Sequence, residues 1–540
     1  YITIVNLTPH TFKLAYTSSY QMDEFNWGDI PSGRARQNVA HYTERVTANP
    51  KDDNGEAYYD IGDTGKKFVV RATTHIPDTY PRRVVFDLSG MGKGQREYRV
   101  PEQEVPVTLV ITGSDSFGFI TSLSYGPGNW MNSIKEEMKH RRLLDMIMPG
   151  THDSGMSKIT EAILTGANSD NTQTQGLNIY DQLRVGARWF ELRVSTVHEV
   201  VTGRYEYWTT HLNDEMADVP IGKSGEKFDD VVSEINKFTS ENPGEVIALQ
   251  FRYLVGVRNV PSKGPVYWDE TIKNKFFNKL MKIENRCGEL ESGRIQDYTM
   301  DKLMSSNNGK GCVLIFLDTV HMKNIPEAER FSTKDGIYSK NDISWIDAWP
   351  DKEDTKDVAE FAIDSWQKRT PTNFHVAQWL STPSPLTSTF DYSIQVIAVL
   401  PTNPALYWKG VNSITSTKFP NVLLVDYIGM VLLNDAQWDS LSAELYTLAI
   451  GLNLYTISEN CDINKRRSPL LPSPKNQRRP PSPIISQFNG IIFANGTTIE
   501  NPPSGFHPGR VGILRNGTVF NNGTVLKEDV PNPDFNSTSF

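Results

Sequence analysis

The sequence has little cysteine, no long apolar run and no excess of positive charge. Its 540 residues include 3 cysteines, Cys287, Cys312 and Cys461, so at most one intrachain disulfide can form and a disulfide-framework protein is excluded. No apolar run approaches the roughly 20 residues of a membrane-spanning helix, which limits any expected membrane contact to the surface. The net charge is −9 and acidic and basic residues are interleaved, so we expect no nucleic-acid partner.

The remaining composition is that of a globular protein with more than one domain. Apolar residues make up 38% and charged residues 22% of the chain, whose length exceeds one ordinary core. The chain enters a strand-like run directly at Tyr1, which we interpret as a mature form after removal of a targeting peptide. Asn-x-Ser/Thr sequons predict glycosylation and the secretory route: Asn6, Asn495, Asn516, Asn522 and Asn536. We therefore expect a secreted, monomeric glycoprotein.

Residues 1–128 contain short strand-like runs separated by clusters of Gly, Pro, Asp and Asn. The runs are Tyr1–Val5, Lys67–Ala72, Arg83–Leu88 and Val107–Thr112. No long helical period and no convergent set of titratable residues accompanies them. The pattern predicts an antiparallel β-sandwich that acts as an accessory domain.

Residues 129–456 alternate apolar strands with amphipathic helices, which predicts a (β/α)8 barrel of the TIM type, with closure left open. The predicted strands are Leu143–Met148, Arg188–Val194, Arg204–His211, Val246–Arg252, Cys312–Thr319, Phe374–Trp379 and Val422–Tyr427. An eighth, Ile394–Leu400, suits a helix equally well. The predicted outer helices are Phe228–Ser240, Thr271–Ile283, Val358–Lys368 and Gln437–Leu452.

The end of the chain changes composition twice. Residues 457–484 are rich in proline and basic residues without apolar periodicity, which predicts an extended linker. Residues 485–540 carry Asn-Gly pairs at 495–496, 516–517 and 522–523, and this dipeptide favours hairpin turns. We expect a glycosylated extension of hairpins and loops there.

Ionisable side chains stand where the predicted barrel strands end. They are His152 and Asp153, Glu191 and Arg193, His211, Arg252, Asp318 and Asp426. The strand period of two places Glu191 and Arg193 on one face. Active sites of such barrels lie at the rim formed by the carboxyl ends of the strands. An ion-pair layer that closes the barrel is the structural alternative, but so many histidines, arginines and carboxylates on separate strands favour a site.

Several motifs resemble those of phosphatidylinositol-specific phospholipases C of the bacterial, calcium-independent type. The resemblance begins with Met148-Pro149-Gly150-Thr151-His152-Asp153-Ser154-Gly155, continues through Gly186-Ala187-Arg188-Trp189-Phe190-Glu191-Leu192-Arg193 and Thr210-His211, and ends with Val425-Asp426-Tyr427-Ile428. It covers about 300 residues, from Leu143 to Leu452. Glu191 stands where the bacterial pattern has aspartate, and Leu212 follows His211 where glycine is common.

The resemblance implies a phosphodiesterase that works with two histidines. His152 would be the general base, oriented by Asp426. His211, supported by Asp153, would be the general acid, and Arg193 would stabilise the phosphate with Glu191 beside it. Arg252 and Asp318 occupy strand ends near the family's substrate-facing positions, and with Gln378 they are the candidate substrate-binding residues. The implied substrate is a phospholipid or lipid-anchored glycan at a peripheral membrane surface.

Two alternatives stay open at this stage. The first is a metal-assisted phosphodiesterase that binds Ca or Mg through Glu191 and Asp153, although Arg193 opposes a divalent ion, so no cofactor and no metal ligand are expected. The second is a catalytically silent barrel whose β domain binds a surface glycan. Trp345 and Trp349, in a polar loop, are candidates for membrane contact.

Overall fold

The structure is a computed structural model of the whole chain. It describes residues 1–457 except 44–48, 76–81, 101–104, 124–125, 127, 163–166, 168, 199–203, 213–220, 258–267, 289, 291–292, 319–332, 340, 384–392, 435–436 and 441; beyond 457 it describes 490–492, 497–500, 513–514, 519–520 and 530–531. None of the helices in these ranges is long and apolar enough to cross a membrane.

Strands dominate the amino-terminal region. They are β1 (Ile2–Leu7), β2 (Phe12–Tyr20), β3 (Met22–Glu24), β4 (Arg34–Asn38), β5 (His41–Tyr42), β6 (Asn54–Ile61), β7 (Lys67–Thr74), β8 (Arg82–Asp87), β9 (Gln95–Val100), β10 (Val107–Ser114) and β11 (Gly118–Thr121). One sheet has the order β11-β10-β1-β4 and the other β2-β6-β7-β8-β9. The predicted sandwich is confirmed, although β1 and β10 pair in parallel.

Strand β1 is buried on both faces, which explains its unbroken apolar character. Ile2 and Ile4 pack into the core between the two sheets. Val5 and Leu7 point the other way, into a cluster that includes barrel residues such as Leu448. Alternate side chains of β1 therefore pack into two different cores. The four-stranded sheet lies between the five-stranded sheet and the barrel.

The barrel contains parallel strands whose order around the sheet follows the chain. They are β12 (Met148–Thr151), β13 (Trp189–His198), β16 (Glu245–Val257), β17 (Gly311–Leu317), β18 (Ile337–Ser339), β19 (Trp345–Ala348), β20 (Phe374–Gln378) and β21 (Val422–Val425). Strand β21 pairs with β12. The described residues form no ladder between β18 and β19. The predicted barrel is therefore confirmed, and it is incompletely closed.

Side chains along β13 show how the barrel interior is layered. Trp189 belongs to the interior core, where its ring centroid lies 5.5 Å from that of Phe316 and 5.3 Å from that of Phe374. Phe190 and Leu192 face the outer helices. Glu191 and Arg193 share the inward face with Trp189 because side chains alternate along a strand. Aromatic residues thus fill the barrel interior beneath the layer of polar side chains at the rim.

The helices and the remaining strands lie around this sheet. The helices are α1 (Trp130–Ser133), α2 (Lys135–Met138), α3 (Ile179–Arg184), α4 (Phe228–Glu241), α5 (Glu270–Leu280), α6 (Met300–Met304), α7 (Ser306–Gly309), α8 (Thr355–Gln367), α9 (Ile394–Ile397), α10 (Asn403–Ala405), α11 (Val411–Ser413) and α12 (Glu444–Gly451). The strands are β14 (Tyr205–Leu212), β15 (Gly222–Lys227), β22 (Met430–Asn434), β23 (Gln437–Ser440), β24 (Gly490–Ile492), β25 (Thr497–Glu500), β26 (Ile513–Leu514), β27 (Val519–Phe520) and β28 (Val530–Pro531).

Residues 394–400, for which the sequence leaves strand and helix both open, are helical. Three sequence-based assignments in the barrel are wrong. The first strand is Met148–Thr151, because residues 143–145 form a 3-10 turn. Gln437 begins a strand rather than a helix, which starts only at Glu444. The run Arg204–His211 belongs to β14, which pairs antiparallel with β13 and is not one of the parallel barrel strands. The barrel is completed instead by β18 and β19, which are too short to show a clear apolar period in the sequence.

The carboxyl-terminal predictions are tested only in part. Strands β24 and β25 pair antiparallel across the Asn-Gly pair at 495–496, which confirms a hairpin there. The pair at 516–517 lies outside the described residues, and the described strands on either side of it pair elsewhere, β26 with β28 and β27 with β25. The predicted linker lies outside the described residues apart from its first residue.

Candidate active site

A cavity of about 260 Å³ opens at the carboxyl-end rim of the barrel. Its polar lining comes from His152, Arg193, His211, Arg252, Gln378 and Asp426, and its apolar lining includes Leu212, Tyr253, Trp349, Leu380, Pro383 and Ile394. The polar residues lie on, or directly after, six different strands, so the fold brings together most of the side chains predicted at strand ends.

His152 lies one residue beyond β12, and its ring lies between the carboxylate of Asp426 and the guanidinium of Arg193. Its Nδ1 is 2.8 Å from Oδ1 of Asp426, which lies one residue beyond the neighbouring strand β21. Its Nε2 is 2.8 Å from Nη2 of Arg193. A guanidinium can only donate, so Nε2 must accept and the proton of the neutral ring must be on Nδ1, donated to Asp426. In this tautomer the lone pair of Nε2 accepts the hydrogen bond from Arg193, which lines the same cavity.

Glu191 holds Arg193 from below. Its Oε1 accepts a hydrogen bond of 2.8 Å from Nε of Arg193, and its Oε2 accepts one of 2.7 Å from the backbone N–H of Asp153. Burial alone would raise the pKa of this fully buried carboxyl, but Arg193, His152 and Arg252 together hold the pKa below its ordinary value. Glu191 is therefore ionised and fixes the guanidinium at the cavity wall.

His211 approaches the same cavity from the antiparallel strand β14. Its ring centroid is 6.1 Å from that of His152. Its Nδ1 is 3.0 Å from the carbonyl oxygen of Thr172 and 4.0 Å from Oδ2 of Asp153. The direct hydrogen-bond partner is thus Thr172, and the predicted support by Asp153 is an ion-pair distance only. Burial, with Arg193 and His152 nearby, lowers the pKa of His211 to about 3.

The predicted substrate-binding residues differ in position. Arg252 and Gln378 line the cavity, whereas Asp318 is buried and lies 3.5 Å from Nε of Arg252 without reaching the cavity wall. Asp347, which is not among the predicted site residues, connects the members of this group by hydrogen bonds. It accepts hydrogen bonds from Nη1 of Arg252 at 3.3 Å, from Gln250 at 3.2 Å and from Gln378.

Two aromatic residues complete the cavity. The ring of Tyr253 lies 5.3 Å from the guanidinium carbon of Arg193 and 5.3 Å from that of Arg252. Trp349 is 54% exposed at the mouth, so it stays a candidate for membrane contact. Trp345 is buried against Trp189, and its predicted contact with a membrane is wrong. A polar strand end followed by an aromatic residue, as in Arg252-Tyr253, could have pointed to Tyr253.

The described residues bear on three further features, a metal site, a disulfide and glycosylation at Asn6. Within the described ranges, no group of three or more His, Cys, Asp and Glu side chains is arranged around a metal-sized position. Cys287 and Cys312 form a disulfide. Asn6 is fully buried on β1, and its Nδ2 donates to the carbonyls of His10 and Ile30 at 2.7 and 2.9 Å. Glycosylation at Asn6 is therefore contradicted, while the other four sequons lie outside the described residues.

The fold and site define a parallel β/α barrel with two histidines and an arginine at its rim. No protein-family model matches the chain. Curated relatives do: human PI-PLC X domain-containing protein 3 is 26% identical over 172 residues, 28% of this chain and 49% of the relative. Human PI-PLC X domain-containing protein 2 is 27% identical over 183 residues, 30% of this chain and 54% of the relative. The match thus spans about half the length of these relatives.

Solved structures with similarity to the chain carry related names. A variant of phosphatidylinositol-specific phospholipase C from Staphylococcus aureus aligns with a TM-score of 0.38 and 16% identity, over 60% of this chain and 97% of the other. The enzyme of that name from Listeria monocytogenes aligns with a TM-score of 0.36 and 13% identity, over 60% and 98%. The sequence relatives confirm the resemblance to PI-PLC X-domain proteins that the motifs indicate.

Proposed function

We propose that this protein is a phosphodiesterase that cleaves an inositol phospholipid, or a glycan anchored by one, without a metal ion. The observation that carries the proposal is the geometry of His152, which donates to Asp426 through Nδ1 and presents Nε2 to Arg193 in a cavity shared with His211. The names of the relatives and the motifs of this chain support the same reaction class.

His152 is the general base of the proposed reaction. The headgroup hydroxyl next to the phosphodiester takes the place of Arg193 at Nε2 and transfers its proton there. Asp426, 6% exposed, stabilises the imidazolium that forms. The freed oxygen then bonds to phosphorus and closes a cyclic phosphodiester.

Arg193 stabilises the phosphate during this step. Its Nε keeps the hydrogen bond to Glu191 while its Nη2 exchanges His152 for a non-bridging phosphate oxygen, so the guanidinium stays in plane and moves little. A fixed donor aimed at developing negative charge needs no reorganisation in the transition state. Glu191 thus acts by holding Arg193 and needs no contact with substrate.

His211 delivers the proton that the leaving group requires. As the bond from phosphorus to the diacylglycerol oxygen breaks, Nε2 of His211 protonates that oxygen. The ring is neutral in the empty site because burial, Arg193 and His152 lower its pKa. The negative charge of a bound phosphodiester opposes the positive charge of Arg193 and raises the pKa of His211, so the acid is charged only when substrate is present.

The test is release of cyclic inositol phosphate from phosphatidylinositol vesicles, followed by phosphorus NMR in the presence of EDTA. We expect turnover by the wild type and a loss of about 10²–10⁴-fold in His152→Ala. The control is His10→Ala, which removes a histidine–aspartate pair, His10 to Asp115 at 2.9 Å, from the amino-terminal sandwich. Turnover that EDTA abolishes would support the metal-assisted alternative, and absence of turnover would support the silent barrel.

We also propose that the protein is secreted and glycosylated. The disulfide between Cys287 and Cys312 suits an oxidising compartment, and the sequons after residue 490 support export. Expression in a eukaryotic secretory host, followed by an endoglycosidase mobility shift of the medium fraction, tests this. Retention in the cytosol in an unglycosylated, active form would contradict it.

A further inference from the structure

A short segment, Thr172–Gln175, is hydrogen-bonded to both proposed acid–base histidines, His152 through its backbone carbonyl and His211 through its ring. Thr172, Thr174 and Gln175 are buried, at 5%, 0% and 0% exposure. The segment follows the loop after His152 and crosses behind the cavity before α3. Buried polar side chains in such a position require hydrogen-bond partners, and the partners identify what the segment holds.

The segment sets the orientation of His211 through a backbone carbonyl. The oxygen of Thr172 lies 3.0 Å from Nδ1 of His211. A carbonyl only accepts, so Nδ1 carries a proton and the lone pair of the neutral ring is on Nε2, which is the atom that must shuttle the proton to the leaving group.

Gln175 joins the two strand ends that carry the base and its carboxylate. Its Nε2 donates to the carbonyl of His152 at 2.9 Å and to that of Val425 at 3.1 Å. Its Oε1 accepts from the backbone N–H of Ile428 at 3.1 Å. One amide thus binds the residue after β12 and residues on both sides of Asp426.

Thr174 adds a second connection between the same two loops. Its hydroxyl donates to the carbonyl of Asp153 at 2.9 Å. Its own carbonyl accepts from the backbone N–H of Tyr427 at 2.8 Å. Asp153 has φ of +38°, in the left-handed region that aspartate seldom adopts, so the turn after His152 depends on bonds of this kind.

We propose that the 172–175 segment is a positioning device that sets the tautomers and spacing of His152 and His211, with Thr174 and Gln175 as its positioning residues. The ladder between β12 and β21 ends at the pair Thr151 and Val425, and its last bond runs from the N–H of His152 to the carbonyl of Val425 at 3.1 Å. Beyond that bond, the side-chain bonds of Thr174 and Gln175 supply the remaining alignment between the residues after β12 and those after β21. The proposal rests on the proposed phosphodiesterase function.

The variants are chosen to keep shape and remove single bonds. Gln175→Met keeps the volume and loses three hydrogen bonds, while Thr174→Val loses the hydroxyl and Thr174→Ser restores it. The control is Gln367→Met on α8, since Gln367 donates to the carbonyl of Ser413 at 2.8 Å and lies outside the 172–175 segment. We expect kcat to fall about tenfold to a hundredfold in Gln175→Met and Thr174→Val, with KM within about twofold, and recovery in Thr174→Ser.

A readout independent of activity is nitrogen-15 NMR of labelled histidine at neutral pH. The wild type should show Nδ1-protonated tautomers for His152 and His211, and Gln175→Met should show averaging of His152 between tautomers. Wild-type tautomers together with wild-type kcat in Gln175→Met and Thr174→Val would overturn the proposal. If Gln175→Met does not fold, the Thr174 pair decides. If the wild type is inactive, the proposed function fails, and the tautomers still test the positioning.

Discussion

At the scale of single residues, Arg193 has two different partners for two of its nitrogens. Its Nε donates a hydrogen bond to Glu191 and its Nη2 donates one to Nε2 of His152, each at 2.8 Å. A lysine ammonium is a point charge without this planar geometry. We expect Arg193→Lys to lower kcat by about 10²–10³-fold, the usual effect of losing one fixed donor to an oxyanion, in the vesicle assay.

The matched control for this substitution is Arg184→Lys. Arg184 pairs with Asp181 at 3.1 Å, and both side chains are about one-third exposed, away from the cavity. The melting temperature and turnover of Arg184→Lys should equal those of the wild type. Full activity of Arg193→Lys would eliminate a phosphate contact by this side chain.

His211 leads to a prediction about pH. Its pKa of about 3 in the empty site makes it neutral at physiological pH, and a bound phosphate monoester should raise that pKa. The bound form then holds a proton that the free form lacks, so affinity should increase as pH falls from 8 towards 6. Calorimetry of inositol phosphate at pH 6, in buffers of different ionisation enthalpy, should show proton uptake.

The comparison that isolates His211 is His211→Gln, which keeps a polar side chain without a titratable ring. Proton uptake in this variant should fall by up to one proton per ligand bound. Equal uptake in the variant and the wild type would assign the protonation to His152 or to the ligand itself.

At the scale of secondary-structure elements, His211 depends on the packing of the hairpin formed by β14 and β15. His211 lies opposite Lys223, and Leu212 lies opposite Gly222. A Cβ on Gly222 would sit 1.9 Å from the carbonyl oxygen of His211 and 2.8 Å from Cα of Leu212, so one strand must move. We expect Gly222→Ala to lower kcat at least tenfold, because misplacement by about 1 Å can cost about 10²-fold.

The control for the hairpin is Gly94→Ala, where an added Cβ meets nothing within 4 Å. It should leave turnover unchanged in the same assay. Wild-type turnover in Gly222→Ala would show that His211 tolerates a shift of its strand, and its role as the acid would have to be reassigned.

At the scale of the whole molecule, Asn412 connects the barrel to the sandwich. Its Oδ1 accepts from the N–H of Ala35 and its Nδ2 donates to the Ala35 carbonyl, each at 2.9 Å, while Arg34 donates to the Asn412 carbonyl at 2.9 Å. Asn412→Ala leaves the buried backbone groups of β4 without these partners, which costs about 1–3 kcal/mol. We expect a lower melting temperature, or two calorimetric transitions in place of one.

Asn236→Ala is the corresponding substitution inside the barrel. Asn236 also makes a two-point connection, donating to the carbonyl of Lys282 at 2.9 Å and accepting from the N–H of Glu284 at 2.8 Å, but at an exposed site. Its loss should reduce stability less and leave a single transition. A split transition in Asn236→Ala alone would show that the domains are not coupled through Asn412.

Much of the candidate site could be predicted because strand periodicity is local. Glu191 and Arg193 share a face with Trp189, as a period of two requires, and His152 and Asp426 follow adjacent strands. The roles of these residues stay predictions until turnover is measured. Asn6 shows the opposite limit, since a sequon is a local motif and its burial between two sheets depends on strands more than 100 residues apart.

By itself the sequence determined which side chains stand at strand ends and which motifs they resemble, because both are properties of neighbouring residues. Only the tertiary structure decided that His211 returns on an antiparallel strand, that Thr172 is its partner 39 residues away, and that Asp347 holds Arg252 across 95 residues. The reason is physical. Hydrogen bonds between distant segments depend on how the barrel and its hairpin pack, and no local period encodes that packing.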